Sequence, residues 1–248
     1  MDRRCILLTA AVTPARIFNG VLTDPAKRLQ QYHMALRFWC DVAVRTGAHV
    51  LVVETSGADP DCFREPLSAS ERRRVMVFSH APSPAVISSG IGAIEAEAID
   101  AAMLDVASAG SVGILITKVT GRLKVRNAID LSRSSHRSTF VVRRTLDRRF
   151  ADSRFFEVPL TLWISFMTGL ADQISDADGR YLEHALAHRL AIGEYEGIVR
   201  VGHFVRRPLI EGVSGTTGRN YGGSLKRPLS RPLSWVERGV SRLASKQV

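Results

Sequence analysis

Short apolar runs alternate with amphipathic stretches through the first half of the chain. CILLTAAV (5–12), HVLVVE (49–54), VMVFS (75–79) and GILITKV (113–119) are rich in branched residues and bounded by turn-formers, the pattern of buried strands. Between the first two, Asp24-Pro25 reads as an N-cap followed by proline at the first helical position. Leu29, Tyr32, Leu36, Trp39 and Ala43 then recur at three-to-four spacing, and Gly47 closes that helix. SSGIGAIEAEAIDAAMLDVASAG (88–110) is a glycine-bearing turn that opens a second long helix. The order β-α-β-β-loop-α-β predicts an α/β fold with a mostly parallel central sheet flanked by crossover helices. Past residue 130 the pattern predicts a strand at 139–143, helices at 160–172 and 179–191, and an irregular glycine-rich stretch at 211–224.

Composition narrows the class. A chain of 248 residues, 45% hydrophobic and 23% charged, is that of a soluble globular protein, one large domain or two small ones. VPLTLWISFMTGLA (158–171) falls short of the roughly 20 apolar residues a bilayer span needs, so it reads as core. The N-terminal apolar stretch is too short for a signal peptide, and Cys5, Cys40 and Cys62 suit a reducing compartment rather than a disulfide framework. A cytoplasmic protein is expected. The net charge of +10 is uneven: residues 118–154 hold eleven Lys/Arg against three Asp/Glu, and residues 206–248 hold nine against two. Two basic segments on a mildly acidic body suggest two separate anionic contacts.

Several motifs could supply them. In KVTGR (118–122), Lys118, Arg122 and the amides near Gly121 are suited to a pyrophosphate, although a solvated strand end looks the same. SGIGAIE (89–95) is a G-x-G followed three residues on by Glu95, not the dinucleotide fingerprint; its glycines can admit a ligand to a helix N-terminus or form a plain turn. TSGAD (55–59) offers Ser56 and Asp59 to a ribose or base, or simply an Asx or Ser turn. GVSGTTGRNYGG (212–223) carries Arg219 and Tyr221 and can wrap an anion, but lacks the ending of a P-loop. DADGRYLEHALAHR (176–189) supplies Asp176, Asp178 and Glu183 near a helix start; Asp178 suits a cap, Glu183 a general base. His184 and His188 are four apart, with no third metal ligand in evidence.

In this order the pieces resemble bacterial GT-A-type glycosyltransferases, the nucleotide-sugar-dependent enzymes of capsule and lipopolysaccharide biosynthesis. LLTAAV, VVETSGADP, SGIGAIEAEAI and ILITKVTGRLKVRN carry the resemblance, with ADSRFF, the Glu183 helix and PLIEGVSGTTGRNY behind them; it covers most of residues 5–223. It implies a single Rossmann-like GT-A domain over 1–224, with a nucleotide-sugar-binding half (1–130) and an acceptor half (131–224), and a separate tail (225–248). It implies donor contacts from Thr9, Glu54, Ser56, Asp59, Gly90, Gly92, Glu95, Lys118, Thr120, Gly121, Arg122 and Arg219. The expected partners are a nucleotide-sugar donor and a glycan or lipid-linked acceptor, not nucleic acid.

One departure bears on the cofactor. Many GT-A enzymes end the central strand in Asp-x-Asp, which binds Mn²⁺ or Mg²⁺; here that place reads Thr117-Lys118-Val119-Thr120. A protonated lysine cannot ligate a metal. The expectation is that no metal is required, and that Lys118, Arg122 and Arg219 offset the charge of the leaving diphosphate. For an inverting reaction, Glu183 is the first choice of base and Asp178 the second. In the tail, Ser234 and Glu237 form a capping box, and Leu233, Val236, Val240 and Leu243 share a face. Residues 226–248 thus read as a basic amphipathic helix suited to an anionic membrane surface or to the enzyme's own body. A catalytically degenerate relative and a basic nucleic-acid binder are the rival classes.

Overall fold

The computed structural model describes residues 4–14, 22–110, 113–132, 138–214 and 217–222. The tail at 225–248 lies outside the described residues. In chain order the elements are β1 (Arg4–Ala10), α1 (Pro25–Thr46), β2 (His49–Glu54), α2 (Asp61–Arg64), α3 (Ala69–Arg72), β3 (Val75–Ser79), α4 (Pro84–Ser89), α5 (Ile91–Ser108) and β4 (Leu115–Thr120). There follow β5 (Lys124–Val125), α6 (Ala128–Ser132), β6 (Thr139–Arg144), β7 (Ala151–Pro159), α7 (Leu160–Leu162), α8 (Leu182–Tyr195), β8 (Arg200–Gly202), β9 (Ile210–Val213) and β10 (Asn220–Tyr221).

Seven strands form one sheet in the order β3-β2-β1-β4-β7-β6-β8. β7 runs against both its neighbours and every other pair in that sheet is parallel. Strand order reverses at β1, between β2 and β4, so the C-terminal ends of these strands flank a crevice. Both faces are covered. Leu7, Leu51, Val53 and Ile116 pack towards α5 and α8, whereas Ile6, Leu8, Val50 and Val52 pack towards α1. Burial on both faces explains why the first strands are apolar throughout rather than alternating.

Helix α1 starts and stops as the sequence predicts: the Asp24 side chain accepts from the amides of Ala26 and Lys27, and Gly47 closes the helix in the left-handed region. The span 88–110 is two helices broken at Gly90, whose φ of 117° and whose closeness to Asp176 exclude a side chain. Three other expectations are corrected. β7 appears where no strand was expected, because Asp152, Arg154 and Glu157 mask an almost wholly buried strand. The helix expected at 160–172 is instead α7, a π-turn at Trp163–Met167 and a 3-10 turn at Leu170–Gln173, interrupted by left-handed Gly169. The glycine-rich stretch is ordered where described: β9 pairs with both β10 and β5 as a three-stranded sheet.

Candidate active site

A cavity of about 760 Å³ opens at the C-terminal edge of the parallel strands. Thr9, Ala10 and Ala11 line it from β1, Thr55 and Ser56 from the end of β2, Ser79 and His80 from β3, and Thr120 from β4. Ser153 and Arg154 reach it from the start of β7, which runs the opposite way and so begins at this same edge. Glu183 enters from the first turn of α8, and Val213, Ser214 and Tyr221 form the side made by β9 and β10.

Three arginines, Arg28, Arg122 and Arg154, are in the cavity lining. Arg28 is buried on α1, with Nε donating to the Ala11 carbonyl at 2.7 Å and Nη1 to the Leu22 carbonyl at 3.1 Å. Arg122 is also buried; Nη1 donates to Gln31 Oε1 at 3.2 Å and to the Val213 carbonyl at 3.4 Å. Both guanidinium groups lie about 6 Å from the Tyr32 ring centre, at 6.0 and 5.9 Å. Burial lowers the pKa of Arg122, with Tyr32 acting the other way. Arg154 sits 4.9 Å from the Tyr221 ring centre and makes a two-pronged pair with Asp152, at 2.7 and 2.6 Å. That pairing raises its pKa further.

The same lining holds two carboxylates, Glu95, on the first turns of α5, and Glu183. Thr9 Oγ1 donates to Glu95 Oε1 at 2.6 Å, and Lys118 Nζ lies 2.6 Å from the same oxygen. Lys118 Nζ also donates to the Ser153 carbonyl at 2.5 Å, while Ser153 Oγ donates to Glu183 Oε1 at 2.5 Å. Through the side chain and main-chain carbonyl of Ser153, these polar contacts run from β1 through α5, β4 and β7 to α8.

The expected site residues divide. Thr9, Ser56, Glu95, Thr120, Arg122 and Glu183 line the cavity together. Gly121 is buried between the lining residues Thr120 and Arg122: its amide donates to the Thr9 carbonyl at 2.9 Å, and a Cβ there would lie 2.6 Å from that oxygen. Lys118 does not reach the lining, since its side chain is wholly buried beneath Glu95. Glu54 is buried and shapes the walls, accepting from the amides of Val12, Ser56 and Ala58 and from Ser56 Oγ. Asp59 accepts from the Asp61 amide just before α2. Gly90 and Gly92 let α5 pack against Asp176 and Leu182. Asp176 accepts from the Ile91 amide, and burial raises its pKa. Asp178 is exposed and paired with Arg180 at 2.9 Å, away from the cavity lining. Arg219 is exposed and absent from that lining too.

Arg28, Tyr32, His80, Ser153 and Arg154 were not singled out as donor or catalytic residues, and Tyr221 was named only as part of an anion-wrapping loop. Arg28 and Tyr32 carried a usable signal: an arginine four residues before a tyrosine on the core-facing side of a helix. Lys118, Arg144 and Arg154 pair internally with Glu95, Glu194 and Asp152, and Arg122 faces the cavity. Among the described residues no group of three or more His, Cys, Asp or Glu could hold a metal ion. The two cavity carboxylates are tied to Lys118 and Ser153, so this donor set does not fit a divalent cation. Burial pushes the Cys5 and Cys40 thiols up to about 12 and Cys62 to about 11, leaving no thiolate nucleophile. No described helix is long and apolar enough to cross a membrane.

No family model and no curated protein matches the chain. Among solved structures it is similar to the galactosyltransferase LgtC, crystallised with donor and acceptor sugar analogues. The TM-score is 0.51 at 10% identity, over 80% of this chain and 73% of that one. It is also similar to a Desulfovibrio desulfuricans G20 protein provisionally named a nucleotide-diphospho-sugar transferase, with TM-score 0.48, 13% identity and 98% of both chains covered. Mouse xyloside xylosyltransferase 1 gives 0.40 at 11% identity, over 82% of this chain and 84% of that one. Only the first score reaches the level at which a shared fold follows. The mostly parallel sheet flanked by helices is the GT-A type of fold.

Proposed function

We propose that the protein is a glycosyltransferase that moves a sugar from a nucleotide-sugar donor to a hydroxyl of a glycan or lipid-linked acceptor. The observation that carries this reading is one cavity at the C-terminal edge of the sheet whose lining holds two buried arginines, Arg28 and Arg122, and two carboxylates, Glu95 and Glu183. A nucleotide sugar has the matching polarity: an anionic diphosphate joined to a neutral or weakly charged polyol. The galactosyltransferase with the shared fold binds donor and acceptor sugars, which supports the same substrate class here.

In this reading the loops after β1, β2 and β3 receive the nucleoside, and Arg122 with Arg28 faces the diphosphate. Glu183 accepts the proton of the acceptor hydroxyl as its oxygen bonds to the anomeric carbon. The bond from that carbon to the diphosphate oxygen breaks, its electron pair leaves with the nucleoside diphosphate, and the proton stays on Glu183. Guanidinium groups fixed before the reaction stabilise the developing phosphate charge without reorganising. No step is routed through a metal, since the donor set does not fit one. A role in surface-polysaccharide synthesis on the inner face of the cell membrane rests on the sequence resemblance, and the proposed membrane contact falls on residues 226–248.

Thermal shifts with UDP-, GDP-, CMP- and dTDP-sugars test the reading, because a ligand of the native state raises Tm by mass action. One nucleotide series is expected to raise Tm, and release of its diphosphate to persist in excess EDTA. Absence of any shift across the panel overturns the function. Activity lost in EDTA and restored by Mn²⁺ overturns the metal-independent mechanism alone.

A further inference from the structure

Lys118 is an unusual residue for its position. It lies on the central strand between Leu7 of β1 and Phe156 of β7, and its side chain is 0% exposed. An ammonium group buried in a sheet is costly unless it is paired, and an apolar side chain of the same length would pack there without that cost. Its partner is Glu95. The Lys118 ammonium and the Thr9 hydroxyl both converge on Oε1, and no hydrogen bond among the described residues uses Oε2. The Glu95 side chain is 19% exposed and lines the cavity, so Oε2 is the oxygen left for a ligand. The arginines that line the cavity come from α1, the turn after β4 and β7, where they are associated with Tyr32 and Tyr221.

We propose that Glu95 accepts a hydrogen bond from a hydroxyl of the transferred sugar, that Lys118 is the positioning residue that fixes it, and that the site therefore selects neutral over carboxylated sugars. The inference rests on the donor reading above and specifies its substrate class. A carboxylate held from behind by a buried cation offers a hydrogen-bond acceptor of fixed direction to a sugar hydroxyl. A sugar carboxylate brought to the same place has no hydrogen to give to Oε2 and sets oxygen against oxygen. Lys118 acts from behind Glu95 and does not touch the donor.

Calorimetric titration of the full chain compares UDP-glucose with UDP-glucuronate, GDP-mannose with GDP-mannuronate, and each with free UDP or GDP. For the nucleotide the chain accepts, the neutral sugar is expected to bind about tenfold or more tightly than its carboxylated counterpart. Glu95→Gln is expected to weaken the neutral sugar by about tenfold and to narrow that gap, leaving free UDP or GDP within about threefold. Lys118→Met alone strands a carboxylate, so it is combined with Glu95→Gln; the double variant removes both charges and is expected to repeat the single-variant pattern. A role confined to stability would not separate sugar from free nucleotide. Equal binding of neutral and carboxylated sugars, or an equal loss of UDP or GDP in Glu95→Gln, overturns the inference. A preference for CMP-N-acetylneuraminate, itself carboxylated, overturns it while leaving glycosyl transfer standing. A wild-type chain that binds no nucleotide or nucleotide sugar overturns both.

Discussion

The arginines and the carboxylates of the cavity lining are held in opposite ways. Arg28 and Arg122 are fastened by carbonyl oxygens, an amide side chain and a tyrosine, none of which carries a negative charge. Their positive charge remains available to a ligand. Arg122 also keeps a buried Nε without a partner. Glu95, by contrast, is matched by a full cation, so what it presents is direction rather than net charge. Glu183 accepts from the neutral Ser153 hydroxyl. The arginines suit an anion, and the carboxylates suit hydroxyl groups that must be oriented or deprotonated.

The sharpest way to break this contrast is Glu183→Gln, which preserves shape and removes basicity. The expected result is a fall in kcat of about 10²- to 10⁴-fold, the usual worth of general-base catalysis, with donor Kd within about threefold. Single-turnover transfer alongside donor titration checks it. A fall in donor affinity with kcat unchanged would move Glu183 from the chemistry to the binding of the donor.

Arg122→Met tests the arginines. It keeps most of the packing against Tyr32 while removing charge-assisted bonds, so free nucleoside diphosphate is expected to bind about 10- to 100-fold more weakly. Raising the salt concentration should blunt this loss less than that of an exposed lysine, because Arg122 is buried. If titration shows UDP or GDP binding unchanged, Arg122 is structural and the diphosphate lies elsewhere.

Much of the first half of the chain was legible because its signals are local. Pro25 and Gly47 bracket α1, four apolar runs become β1 to β4, and the strand-to-helix order leaves few arrangements of the sheet. The second half was less legible because its determinants are distant in sequence. β7 hides its strand character behind charged residues that are satisfied by contacts, as when Asp152 pairs with Arg154 and Thr117 donates to Glu157. The expected site residues show the same division. Arg122 and Glu183 face the cavity, but Lys118 follows the alternation of β4 into the sheet, where α5 supplies the counter-charge 23 residues upstream. No local pattern distinguishes a lysine bound for solvent from one bound for a buried partner.

Asp178 gives the smallest expected effect. It stands five residues before Glu183, but its side chain is 61% exposed and its carboxylate pairs with Arg180. The hydrogen bond from Arg180 lowers its pKa, so it is ionised throughout the neutral range and is a weak base there. An exposed pair of this kind contributes little to folding. Asp178→Asn is therefore expected to leave kcat, donor Kd and Tm close to wild type, with rates within about twofold. Steady-state rates measured beside Glu183→Gln make the comparison direct. A loss as large as that of Glu183→Gln would require the turn at 176–179 to close over the cavity during turnover. Asp178 would then be the base, and Glu183 would belong with Ser153 as part of the wall that receives the acceptor.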